Sequence, residues 1–235
     1  MNKLEIVGLS GLAGSGKGEC SLSLQRSLGF TEIAFADRLK SLTADLFELD
    51  LSMLRAETPQ DRAEREEPIR RLSKDGIPRS GRWLLQEVGN KIRTVYPEVW
   101  VEYVGHSIIS DFECVIKGPY GNDKFVIPDV RYQNEFDFIN SIGGTIIDVQ
   151  RGEMPYWVEE FWDHEPDIAD EWLRTHKAEM IHKSEWASRT RVIQNMIPYV
   201  VLNNGTLQDL EKNILTLRFE SKPTTIDKLK SYFED

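Results

Sequence analysis

"GLSGLAGSGKGEC" (8–20) decides the fold. It closes a continuous apolar run, "LEIVGLS" (4–10), of the kind that forms a strand buried on both faces. It opens "KGECSLSLQRSLG", which reads as a helix starting at Gly16 and stopping near Gly29. Between them, "GLAGSGKG" (11–18) fits the pattern G-x-x-x-x-G-K. Glycines let the backbone curl so that several N–H groups point inward, and the helix that follows adds its positive end. Gly11, Gly14, Ser15, Gly16, Lys17, Gly18 and Glu19 are therefore the candidate polyphosphate-binding residues, with Lys17 reaching the terminal phosphates as a point charge. The hydroxyl that usually follows the lysine and meets magnesium is missing, because Gly18 stands there.

Further strands are expected at "TEIAFA" (31–36), "KFVIPDVR" (124–131), "TIIDVQR" (145–151) and "PYVVLNN" (198–204). Helices are expected at 37–49, with Asp37 placed to cap it, and as two segments within 82–110 that break near Tyr96-Pro97. Another starts at "YQNEFDFINSI" and ends at Gly143-Gly144, and one follows Thr206, whose spacing to Asp209 suits a capping box. The polar stretch 50–81 reads as solvated helix and loop, or as a segment that covers substrate, and the tail 220–235 as a short polar helix. Strands alternating with helices imply an α/β protein with a five-stranded, mainly parallel sheet between helical layers. Ligands then bind at the carboxyl ends of the strands, which gathers Gly11–Lys17, Asp37, Asp129, Arg131 and Arg151 on one edge.

With 235 residues, one α/β domain carrying insertions is expected, 40% of it hydrophobic. The net charge of −10 argues against a coat for duplex nucleic acid, while a local basic pocket for small anions is allowed. Cys20 and Cys114, without ligand spacing, suggest a reducing cytoplasm, and no apolar run suits a signal peptide or a membrane span. Asp129, at the end of an apolar strand, is the preferred holder of magnesium, mostly through water, with Ser15 and Glu19 as further candidates. Capping the next helix is its structural alternative. Arg82, Gln86 and Arg93 are spaced to project from one side of a helix.

The blocks "SGLAGSGKG", "FADRLK" (35–40), "RWLLQEVGNKIR" (82–93), "IPDVRYQNEFDFI" (127–139), "HKSE" (182–185) and "LNNGTLQDL" (202–210) resemble, in the same order, the bacteriophage-type deoxynucleoside monophosphate kinases. The resemblance covers roughly 1–50, 80–150 and 180–215. It implies a P-loop kinase-like three-layer fold spanning 1–235, with a substrate-binding segment at about 50–110 and a lid-like helical insertion at about 152–186. Nucleoside monophosphate kinases commonly tolerate glycine after the lysine, although here the threonine of their Gly-Lys-Gly-Thr is Glu19. The implied activity is transfer of the γ-phosphoryl of ATP, with Mg2+, to a deoxynucleoside 5′-monophosphate, in the cytoplasm of an infected host if the chain is of phage origin. Dimerisation is a further implication of the family, and the partners it implies are small nucleotides.

Under that reading Lys17, Asp129, Arg131 and Arg151 are the catalytic set. Asp37, Lys40, Arg82, Gln86, Arg93, Arg131, His182 and Glu185 hold the acceptor, and Asn204, Gly205 and Thr206 form the loop on the adenine. Asp37 alternatively caps its helix, and "NNGTL" alternatively is a plain turn before a capped helix. The stretch "GEMPYWVEEFWDHEPDIADEWLRTHKAEMI" (152–181) is either a lid that excludes water or a packed helical hairpin. Two other functions compete: a P-loop kinase with a hydroxyl acceptor, such as dephospho-coenzyme A or a hydroxylated DNA base, and a binding or switch protein that hydrolyses ATP slowly.

Overall fold

The computed structural model describes residues 3–117, 123–155, 158, 187–189, 197–217 and 224–234. They fall into two compact units, one made of Met1–Ala34 with Val104–Asp235 and the other of Phe35–Tyr103. In chain order the strands are β1 (Lys3–Ser10), β2 (Thr31–Glu32), β3 (Lys124–Ile127), β4 (Thr145–Gln150), β5 (Tyr199–Leu202) and β6 (Thr224–Thr225). The helices are α1 (Lys17–Leu28), α2 (Ala36–Phe47), α3 (Leu51–Arg55), α4 (Pro59–Glu66), α5 (Gly81–Val95), α6 (Val99–Lys117), α7 (Gln133–Ser141), α8 (Leu207–Thr216) and α9 (Ile226–Ser231).

The first unit is built on a parallel sheet in the order β2-β3-β1-β4-β5. Successive side chains of a strand point to opposite faces, so β1 divides its residues between two helical layers. Val7 and Leu9 pack with Val126, Ile147, Val149 and Val201 against Cys20 and Leu24 of α1 and Leu210 and Ile214 of α8. Gly8 faces the other layer, where an added Cβ would lie 2.7 Å from Ile139 of α7. That layer includes Phe138, whose ring meets those of Tyr232 and Phe233 at 5.1 and 5.9 Å. Burial pushes the Cys20 thiol up to about 12, which makes it a core residue and not a nucleophile.

The expected five parallel strands are present, and β6 adds an unforeseen antiparallel pairing to the start of β1. β2 is two residues long rather than six. Ile33, Ala34 and Phe35 are buried as expected, but Phe35 already has helical φ and ψ and caps α2, so the backbone turns away from the sheet before it can pair further. Asp37 consequently lies inside the first turn of α2 and is not its cap.

The second unit contains α2 to α5 and the beginning of α6. The 50–81 stretch forms α3, α4 and a 3₁₀ turn at Arg70–Leu72. Thr58 and Asp61 close the start of α4 reciprocally, with Pro59 in its first turn. The break expected near Tyr96-Pro97 separates α5 from α6. Leu39 of α2 sits against Gly89 of α5, where an added Cβ would come within 2.9 Å of it. Among the described residues, no helix is long and apolar enough to cross a membrane.

Candidate active site

The loop between β1 and α1 takes its shape from three glycines with left-handed backbone. Gly11, Gly14 and Gly16 have φ of 147°, 77° and 104°. Two of them are also hemmed in. A Cβ on Gly11 would lie 2.4 Å from the Val149 carbonyl oxygen, and one on Gly16 would lie 2.4 Å from Asn203 Nδ2. Gly16 caps α1 and has no side chain to bond the N–H groups of the helix start. Lys17 Nζ donates to the carbonyl oxygens of Gly11 at 2.6 Å and Leu12 at 2.8 Å. The ammonium thus rests at the mouth of the loop.

Gly18 is different. It is exposed, and an added Cβ would meet nothing within 4 Å. Packing therefore does not forbid a hydroxyl there. Glu19 is exposed beside it. Ser15 and Ser10, in contrast, are 4% and 0% exposed, and neither Oγ has a hydrogen-bond partner among the described residues. Among the described residues no three His, Cys, Asp or Glu side chains group as a metal cage. Such a donor set fits a magnesium ion that takes most of its ligands from phosphate and water, with one or two oxygens from the chain.

The parallel sheet carries the other candidates of this unit to the same edge. Beyond β3, the Val130 N–H donates to the Leu9 carbonyl at 3.2 Å, so Asp129 and Arg131 follow β3 where it runs alongside the end of β1. Both are half-buried. Asp129 is not the cap of α7. The Glu135 carboxylate, 2% exposed, accepts the N–H groups of Arg131 at 2.7 Å and Tyr132 at 3.0 Å. The signal for this lies in "DVRYQNE", which puts a glutamate at the third helical position. Arg151 follows β4 and is exposed. After β5, Asn204, Gly205 and Thr206 are also exposed. Thr206 and Asp209 form the expected capping box, which holds the Asp209 carboxyl below its ordinary range through bonds from the Thr206 hydroxyl and N–H. Gly205 is required by it, since a Cβ would lie 2.6 Å from Asp209 Oδ2.

Sequence reasoning missed a buried ion pair next to the loop. Asp148, in the middle of β4, is 0% exposed and Arg189 is 1% exposed. Arg189 donates from both terminal nitrogens, at 2.7 and 2.6 Å, to the two carboxylate oxygens. Gln150 Nε2 adds a third donor at 2.7 Å. Arg189 also lines a cavity of about 240 Å³ together with Leu12–Ser15 and Val149–Pro155. The charge in the apolar run "TIIDVQ" was the available signal: a carboxylate there needs a cation, and the sequence does not say which.

The remaining described candidates belong to the second unit. Asp37 and Lys40 are one turn apart on α2, 3.4 Å from each other. Arg82, Gln86 and Arg93 all lie on α5 and are half-buried. Arg82 Nε donates to Glu66 Oε1 at 2.6 Å, and both side chains are over two-fifths exposed, so the pair is weak and exchangeable. His182, Glu185 and residues 159–186 of the insertion lie outside the described residues.

No protein-family model matches the chain. A protein of Acanthamoeba polyphaga mimivirus named "Putative deoxynucleotide monophosphate kinase" is 28% identical over 222 residues, covering 90% of this chain and 94% of its own. Solved structures with some likeness include a dephospho-CoA kinase from Campylobacter jejuni, with a TM-score of 0.40, 11% identity and coverage of 90% of this chain and 94% of its own. A shikimate kinase from Bacteroides thetaiotaomicron has a TM-score of 0.34, 13% identity and coverage of 90% and 94%. The α/β assignment stands on the parallel strand order and the loop geometry described above.

Two outcomes follow from this geometry. Gly18→Ala should fold normally and gain up to about 1 kcal/mol from helix propensity, whereas Gly16→Ala should lose stability, both read by urea denaturation. Asp148→Ala should cost about 3–5 kcal/mol, because it strands a buried guanidinium, while replacing Asp148 and Arg189 together by leucine and methionine should recover much of that loss.

Proposed function

We propose that the chain is a phosphotransferase that moves the γ-phosphoryl of ATP to a deoxynucleoside 5′-monophosphate. The observation that carries this reading is the loop itself: three left-handed glycines and a helix start capped by glycine without a side-chain bond, set at the carboxyl end of a buried central strand. The mimivirus relative supports a kinase, and its name supports this acceptor class.

A monophosphate is already an anion at neutral pH, so its attacking oxygen needs no strong general base. The task is to hold two mutually repelling groups in line and to cancel their charge. The loop N–H groups bind the β- and γ-phosphates, and Lys17 leaves the Gly11 and Leu12 carbonyls to join them. Arg131 and Arg151, after the two strands that flank β1, supply the flanking positive charge. Magnesium, when bound, supplies neutralisation of the β- and γ-phosphate oxygens. Asp129, Ser15 and Ser10 are the oxygens available to orient its hydration shell, with Glu19 exposed nearby. In the second unit, Arg82, Gln86 and Arg93 bind the acceptor phosphate, and Asp37 with Lys40 binds its sugar or base. Asn204, Gly205 and Thr206 present a turn to the adenine, and the partners are small nucleotides.

Incubation with ATP, Mg2+ and each deoxynucleoside monophosphate tests this directly. Appearance of ADP and the matching diphosphate is expected with at least one of them. Inorganic phosphate alone would instead identify a hydrolysing switch, and transfer only to dephospho-coenzyme A or a hydroxylated DNA base would identify a hydroxyl acceptor. Asp37→Asn should raise the KM for the monophosphate while leaving most of kcat, whereas a hydroxyl acceptor would make the same change abolish transfer. Lys17→Ala should lower turnover by about two to three orders of magnitude while the chain still folds, with thermal unfolding somewhat lowered by the loss of the donor to the Gly11 and Leu12 carbonyls.

A further inference from the structure

Asn203 is a buried polar side chain near the end of the expected strand 198–204 and at the start of "NNGTL". It is 7% exposed and follows the last residue of β5. Its N–H donates to the Gln150 carbonyl at 2.7 Å, which continues the β4–β5 ladder one residue past the strand. Its side chain then crosses to the loop, where Nδ2 donates to the Ser15 carbonyl at 2.8 Å. Those two residues are 188 positions apart in the chain.

A loop that turns its N–H groups toward an anion must turn carbonyls elsewhere, and each buried carbonyl needs a donor. Lys17 Nζ serves Gly11 and Leu12, and the Leu12 carbonyl also accepts the Ser15 N–H at 3.2 Å. The Gly16 carbonyl accepts the Cys20 N–H within α1. The Ser15 carbonyl is served from outside the loop, by Asn203. The same amide occupies the space beside Gly16, with Leu210 of α8 at 3.3 Å from the same hypothetical Cβ. Position 16 is thus limited to glycine by Asn203 as well as by its φ. The next residue repeats the device toward another turn, where Asn204 Oδ1 accepts the Gly152 N–H at 2.7 Å, directly after Arg151.

We propose that Asn203 is a positioning residue for nucleotide binding: its amide fixes the Ser15–Gly16 peptide so that the loop N–H groups stay aimed at the β-phosphate of the bound nucleotide. The proposal rests on the reading of residues 11–17 as a polyphosphate-binding loop. An amide is the required group. A carboxylate of the same shape would face the Ser15 carbonyl as a second acceptor and would add negative charge beside the phosphates.

The test is direct measurement of the ATP dissociation constant by calorimetry for wild type, N203A and N203D, each with its thermal unfolding curve. N203A should weaken ATP about tenfold and N203D more than that. In N203D the affinity, taken relative to wild type at each pH, should recover as the pH falls toward about 4, where the introduced carboxyl takes up a proton and can donate again. A purely structural role predicts lowered unfolding temperatures with wild-type affinity in the folded fraction and no recovery at low pH, and that result would overturn the proposal. Should N203D not fold, N203S, which keeps a shorter hydroxyl donor, is expected to bind ATP better than N203A, and equal affinities for the two would overturn it. Wild-type protein that bound no ATP would reject the loop reading itself, whereas wild-type binding matched by both variants would reject the role of Asn203 alone.

Discussion

The structure depends on one constraint: a stretch of backbone must present its N–H groups to a single point while burying the strand that precedes it. Such a loop has no regular ladder to satisfy its carbonyls. They are satisfied one by one, by the ammonium of Lys17 for Gly11 and Leu12 and by the amide of Asn203 for Ser15. The left-handed glycines, the central place of β1 in the sheet and the packing of α1 with α8 all serve that arrangement. A residue from another strand, Asn203, is therefore as much a part of the loop's hydrogen bonding as Lys17 within it.

Parallel topology then does the gathering. Because β3, β1, β4 and β5 run in one direction side by side, the segments that leave them emerge at one edge. Asp129, Arg131, Lys17, Arg151 and Asn203 come from positions as far apart as 17 and 203, yet each lies within a few residues of a strand end. Asp148 is set one step inside that edge and is matched by Arg189. A buried guanidinium whose two terminal nitrogens both engage one carboxylate contributes shape and N–H groups more than net charge to the cavity beside the loop.

Local chemistry was legible in the sequence, and distant pairing was not. The glycine pattern, the capping box at Thr206 and the break at Tyr96-Pro97 each follow from residues adjacent in the chain, and each is present. β2 stops at Glu32 although residues 33–35 are also buried: the Ile33 N–H still reaches the Val126 carbonyl at 3.0 Å, but Phe35 is already helical, and burial alone does not distinguish a strand residue from a buried residue that follows one. The short β6 carries no periodic signal in two residues. Glu135 took the capping role open to Asp129 because its spacing, not its place at a strand end, meets the free N–H groups. The Asp148–Arg189 and Asn203–Ser15 contacts join residues 41 and 188 positions apart, and no local pattern specifies such partners.

The resting place of Lys17 has a consequence for selectivity. Its ammonium is already solvated by two carbonyl oxygens, so an entering anion has to compete with them rather than simply neutralise a bare charge. A small halide, with one site of contact, gains little from that exchange. In the proposed role, a chain of phosphates would engage the amides, the helix start and the ammonium at once, and so compensate for the carbonyls it displaces. A loop acting in that role would be quiet toward the salt around it and would favour ligands long enough to fill it.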